Sequence, residues 1–178
     1  MFIGSAITEK NEAIIIPLRK GADMLKDGEI APDFALHDAQ MQLIRLSDLL
    51  GQHHVVLYFF NRDHSPGGVT EAVEFSDRAE TFRAHGTLVL GVSLDDCLAH
   101  EAFRDEHGIE FHLLSDAEGE VSRLYHVLRE WVGAGMVKYG IERSTFVIDR
   151  QGVIRHALYH VLPKGHAAEI LSLVKQLG

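Results

Sequence analysis

Six apolar residues, Val55-Val56-Leu57-Tyr58-Phe59-Phe60, follow one another without polar alternation. That is the pattern of a strand covered on both faces in the middle of a sheet. The run stops at Asn61, and turn formers and charged residues hold the chain as far as Gly68. From residue 70 to 84 apolar residues return at Ala72, Val73, Phe75, Ala79 and Phe82, close to helical spacing. Strand, tight loop and long helix are therefore the predicted local plan. Ser65 is suited to cap the helix, and Pro66 to its first turn, where a missing N–H costs nothing. Backbone N–H groups at that helix start favour an anion or a thiolate in the loop.

The rest of the chain reads as α/β. Residues 33–37 and 42–45 predict a short hairpin, and Ser47 is placed to cap a brief helical turn through Leu50. A second buried strand is expected over 88–92, and a helix over 97–107 preceded by Asp95 and Asp96, where the positive end of the helix dipole favours carboxylates. A strand at 111–114, a short helix at 121–126 and a loop at 131–138, with Gly133 and Gly135, follow. Residues 145–148 and 153–158 predict a hairpin turning at Gly152, and 167–177 a closing amphipathic helix. Residues 1–26 form an N-terminal extension to a domain spanning 27–178. Within the extension, 14–16 is expected to be a strand packed on its own domain, with a partner contact as the alternative.

At 178 residues and 46% hydrophobic content the chain can bury one sizeable core. The formal net charge of -9 and the lack of a Lys/Arg-rich block disfavour nucleic acid, which needs a concentrated basic surface. The apolar run at 13–17 is too short for a secretory signal and follows Glu9, Lys10 and Glu12. No stretch approaches the ~20 apolar residues that cross a bilayer. A soluble protein without a membrane partner is expected. Cys97 is the single cysteine, which excludes an intramolecular disulfide and any multi-cysteine metal cluster and fits a reducing cytoplasm.

The loop and helix start, Ser65-Pro66-Gly67-Gly68-Val69-Thr70-Glu71-Ala72-Val73-Glu74-Phe75, resemble the peroxiredoxins of the AhpC/TSA type, in the branch named for bacterioferritin comigratory protein, or Q-type. That family carries Thr-Pro-Gly-Cys-Thr-x-Glu-Ala-Cys-x-Phe here. Further matching runs are Ala31-Pro32-Asp33-Phe34, Leu46-Ser47-Asp48-Leu49, Leu90-Gly91-Val92-Ser93, Leu113-Leu114-Ser115-Asp116 and Gly140 to Asp149. The resemblance implies a thioredoxin-like fold with a central mixed sheet flanked by helices. It also implies that Gly68 stands at the peroxide-attacking position, Val73 where many members carry the resolving thiol, and Asn61 in place of the motif's proline.

In the family the thiolate is held by the helix start, a Thr/Ser hydroxyl and an arginine. The resemblance assigns these last two roles to Ser65 and Arg143, with Glu71 one turn from Gly68. Ser65, Gly67, Gly68, Glu71 and Arg143 are thus the candidate ligand-binding set, and Asn61, Ser65, Gly68 and Arg143 the family's active-site positions. The alternative reading makes Ser65 a cap only and pairs Arg143 with Glu71 or Glu142. Glycine supplies no nucleophile, and no base beside Ser65 or Thr70 is evident. Residues 68 and 73 lie ~7.5 Å apart along an intact helix, so even thiols there could join only after unwinding.

Cys97 sits in the first turn of its predicted helix, where the dipole lowers a thiol pKa, but Asp95 and Asp96 oppose that effect. A structural role is favoured for it. The twelve histidines show no metal-ligand spacing: His53 and His54 face opposite ways in a strand, His156 and His160 are ~13 Å apart, and His100 and His107 are two turns, ~10 Å, apart. No metal and no cofactor is expected from local spacing. A site assembled from distant segments stays open, with His64 its best-placed member. Two functions follow. One is a non-catalytic binding or regulatory module that holds a small anion, a peroxide-like ligand, a protein partner or a second copy. The other is residual antioxidant thiol peroxidase or other oxidoreductase activity through Cys97 or a histidine-bound metal.

Overall fold

The computed structural model describes residues 14–16 and 24–178. The apolar run forms β4 (His54–Phe59), in which all six residues are buried. It lies third in a seven-stranded sheet of order β10-β9-β4-β5-β6-β2-β3. Its neighbours are β5 (Thr87–Ser93), parallel, and β9 (Ser144–Ile148), antiparallel. Beyond β5 come β6 (His112–Ser115) and the predicted hairpin of β2 (Ala35–Asp38) and β3 (Leu43–Arg45). Beyond β9 lies β10 (Ile154–Leu158), its hairpin partner.

Because strand side chains alternate, β4 feeds two cores. Val55, Leu57 and Phe59 point into one with Phe34, Leu46, Tyr125 and Phe146. Val56 and Tyr58, with Phe60 just beyond, point into the other, packed by Phe75, Phe82, Phe103 and Ile170 from the helical layer. That layer comprises α2 (Pro66–Asp77), α3 (Ala79–Ala84), α4 (Cys97–His107) and α6 (His166–Lys175). The short helices α1 (Leu46–Leu49) and α5 (Glu120–Leu124) place Leu46 and Val121 in the first core. None of the helices among the described residues is long and apolar enough to cross a membrane.

Three expectations are corrected. The predicted loop at 131–138 is a hairpin of β7 (Leu128–Gly133) and β8 (Met136–Ile141). Ala134 and Gly135, both at positive φ, form its two-residue turn, the geometry that matches strand twist. Residues 136–139 of β8 are exposed, so no buried face marks them as strand. The long helix over 70–84 breaks at Arg78 (φ -108, ψ 1) into α2 and α3. Ser47 does not cap α1 but lies inside it, and its N–H donates to Asp33 Oδ1 at 2.9 Å. A residue from before the hairpin thus supplies the cap acceptor.

In the N-terminal extension, β1 (Ile14–Ile16) pairs antiparallel with β7, Ile14 opposite Val132 and Ile16 opposite Glu130. It makes a three-stranded sheet of order β1-β7-β8. The rest of the extension as far as residue 23 lies outside the described residues.

Candidate functional site

The loop after β4 is closed by its own hydrogen bonds. Ser65 caps α2, with Oγ accepting from the Gly68 N–H at 3.0 Å, and Pro66 occupies the first helical turn. The same hydroxyl donates to the Arg62 carbonyl at 2.8 Å. Arg62 O therefore turns inward over the helix start. A Cβ built on Gly68 would lie 2.1 Å from Arg62 O, 2.8 Å from Asp63 O and 2.9 Å from Ser65 Oγ. The space that a side chain at residue 68 would need is filled by the loop's own backbone.

A buried Asp63–His100 hydrogen bond behind the loop holds it there. Asp63, fully buried, accepts from His100 Nδ1 at 2.7 Å, and the His100 Nε2 is 3.0 Å from the Leu114 carbonyl. The Leu114 carbonyl can only accept, so Nε2 carries a proton and the Nδ1–Oδ2 contact shares a second one. Burial raises the Asp63 pKa, with the His100 hydrogen bond and charge pulling it back. The Asp63 N–H donates to Asp95 Oδ2 at 3.0 Å, and the Ser93 hydroxyl donates to the same oxygen at 2.7 Å. Strand ends β4 and β5, the loop and α4 are thus tied in one network.

Arg143, between β8 and β9, reaches under the start of α2 and donates through Nη1 to Glu71 Oε1. Glu71 is fully buried, and its Oε2 has no hydrogen-bond partner among the described residues. Burial pushes the Glu71 carboxyl up to about 7, while the Arg143 charge and hydrogen bond act the other way. The second guanidinium nitrogen, Nη2, lies 3.0 Å from the point where a Gly67 Cβ would stand. Glu142, the other candidate partner, is bound instead by Arg129 Nη2 at 2.7 Å.

The structure brings together Ser65, Gly67, Gly68, Glu71 and Arg143. Asn61 stands at the loop's exposed edge, its Oδ1 3.5 Å from the Ile141 N–H. Cys97 is elsewhere, in a recess of α4, β2 and β6 with His37, Ser115 and Glu118. Burial pushes its thiol pKa up, Asp38 and Asp96 add to that, and a Ser115 hydrogen bond opposes. Sequence reasoning missed Asp63, Asp95 and His100. His100 lies one turn from Phe103 on the buried face of α4, and a histidine on that face needs a partner.

The AhpC/TSA family pattern matches residues 28–157. Peroxiredoxin Bcp of Bacillus subtilis is 36% identical over 151 residues, 85% of this chain and 96% of the relative. Peroxiredoxin Bcp of Xanthomonas campestris is 35% identical over 123 residues, covering 69% and 77% of the two chains. Among solved structures, a PrxQ variant of Xylella fastidiosa superposes with TM-score 0.80 at 32% identity, covering 88% of this chain and 99% of that one. The bacterioferritin comigratory protein of Xanthomonas campestris, described for alkyl peroxide reduction, gives 0.75 at 32% identity over 81% and 91%. The fold is thus thioredoxin-like, of the peroxiredoxin kind. The chain belongs to the AhpC/TSA family, among its bacterioferritin comigratory protein and Q-type members.

Proposed function

We propose that this chain is a non-catalytic binding or regulatory member of the family, without thiol peroxidase chemistry. The observation that carries the reading is Gly68. It stands at the helix start with no side chain, beneath a carbonyl that leaves no room for one. Peroxide reduction by a thiol begins with a thiolate attacking oxygen, and the only thiol of the chain is Cys97, outside this site and with its pKa pushed up by burial.

What the helix start still offers is donors. The Gly68 N–H is used by Ser65, but Arg143 Nη2 faces the Gly67 backbone on the half-exposed side of the site. A helix N-terminus beside a guanidinium suits a small anion. The ligand class is therefore a small anion or a peroxide-like molecule, and a protein partner or a second copy is the other class of occupant. A cytoplasmic setting belongs to the same proposal.

The test is an NADPH-coupled thioredoxin peroxidase assay with hydrogen peroxide and an alkyl hydroperoxide, on the protein and on Cys97→Ser. Expected is background turnover in both, with stability unchanged in the variant and Cys97 recovered as free thiol by mass spectrometry. Turnover that disappears in Cys97→Ser overturns the reading in favour of oxidoreductase activity.

A further inference from the structure

Next to the loop, three metal-ligating side chains from two segments face one another across a gap. His64, one residue before the cap of α2, has Nδ1 3.9 Å from Glu106 Oε2. His107, the last residue of α4, has Nε2 3.8 Å from the same oxygen. One donor atom from each of the three lies within 4.8 Å of the others. These separations are too long for hydrogen bonds, which elsewhere in this protein close to 2.7 Å between His100 and Asp63. They lie close to what a shared ion requires. Donors at about 2.0–2.2 Å from a tetrahedral metal stand roughly 3.4 Å apart, so the two contacts to Glu106 would close by about half an ångström and the two imidazoles, within 4.8 Å of each other, by up to about 1.4 Å through rotation of at least partly exposed side chains.

Both imidazoles are oriented by the same neighbour. The Phe103 ring meets His64 edge-on with centroids 5.5 Å apart and lies 4.8 Å from His107. Phe103 is itself fully buried, so the platform is rigid. His64 and Glu106 are more than half exposed and His107 about a quarter, which leaves a water free to take the fourth position. By contrast, in the other convergent group, Asp63, Asp95 and His100, both His100 nitrogens, Asp63 Oδ2 and Asp95 Oδ2 are engaged in hydrogen bonds, while Asp63 Oδ1 is buried without a partner among the described residues.

We propose that His64, Glu106 and His107 bind a first-row divalent transition ion of the zinc class. Two imidazoles and a carboxylate suit zinc or cobalt rather than magnesium or calcium, which prefer all-oxygen shells. The bound ion clips the loop to the end of α4 and so fixes the segment whose Arg62 carbonyl closes over Gly68. This inference stands apart from the helix-start reading, since binding is measured without peroxide and either result can fail alone.

The experiment titrates cobalt(II) chloride into tag-free, EDTA-treated protein, follows the visible absorption of the bound ion, and repeats the titration after adding zinc as competitor. One equivalent of cobalt is expected to bind and to be displaced by zinc. His64→Ala, Glu106→Gln and His107→Ala should each weaken binding by at least about tenfold, with Glu80→Gln, an exposed carboxylate on α3, as an unaffected control. All three substituted side chains are at least partly exposed, and unchanged circular dichroism checks that each variant is folded. Non-saturable binding overturns the proposal, as does saturable binding that survives His64→Ala or is lost in Glu80→Gln.

Discussion

Gly68→Ala is expected to destabilise the protein by about 3 kcal/mol, a fall in Tm of roughly 6–12 °C for a domain of this size. On helix propensity alone the same change would stabilise, by about 1 kcal/mol. The sign is set by the neighbour: the new Cβ would stand 2.1 Å from a backbone oxygen, not from the tip of a movable side chain. That oxygen cannot withdraw alone, because the Asp63–His100 pair and the Asp63 N–H bond to Asp95 anchor the next residue. Gly67→Ala is the control. The atoms nearest its Cβ would be side-chain ones, Arg143 Nη2 and Pro163 Cγ, each at 3.0 Å, and a cost under about 1 kcal/mol is expected. Thermal unfolding followed by circular dichroism decides the matter, and a higher Tm for Gly68→Ala would show that the loop does not pack on residue 68. Gly68→Cys carries the same clash, so a thiol there should react with peroxide faster than Cys97 only at the cost of a lower Tm.

The fold was legible where one residue pattern implied one structure. The unbroken apolar run specified a central strand, and Ser65-Pro66 specified where its loop would hand over to a helix. Asp95 and Asp96 before Cys97 marked the start of α4, which begins at Cys97. The reading failed where burial is one-sided or absent, as in β8, and where the Ala134-Gly135 turn joins two strands that were expected to be loop. It also failed where the cap acceptor came from outside the segment, since Asp33 is fourteen positions away from Ser47. The same limit applies to the candidate site. Ser65, Gly68, Glu71 and Arg143 could be named from a motif, but the Asp63–His100 pair joins residues thirty-seven apart. Spacing on one helix excludes His100 with His107 as co-ligands, yet says nothing of His64 meeting His107 across two segments. Only the packing of Phe103 between their rings brings those two together.

Arg143→Ala should produce a loss of stability that grows with pH, because the charge it leaves unpaired is one that can be neutralised. Glu71 is fully buried, and its carboxyl is pushed up to about 7 from the ordinary 4.5. A carboxyl raised in the folded state binds its proton more tightly there than in the unfolded chain. Its stabilising contribution is therefore fully present below about 4.5 and is lost as pH rises through about 7. At about 1.4 kcal/mol per unit the loss is about 3 kcal/mol across that window. Arg143 limits the loss by compensating the carboxylate. Without it the folded pKa rises further, and the decline extends to higher pH. At pH 8 the substitution should cost about 3–5 kcal/mol, as expected for removing one partner of a buried ion pair. At pH 5, where Glu71 carries a proton, the cost should be clearly smaller. Glu71→Gln should remove most of the pH-dependent part, and in the double variant Arg143→Ala should no longer cost more at pH 8 than at pH 5. Urea unfolding of the four proteins at pH 5, 6, 7 and 8 measures this directly, and the differences between variants cancel the titration of every other group. A cost for Arg143→Ala that is the same at both ends of the range would show that Glu71 is not the group that this guanidinium serves.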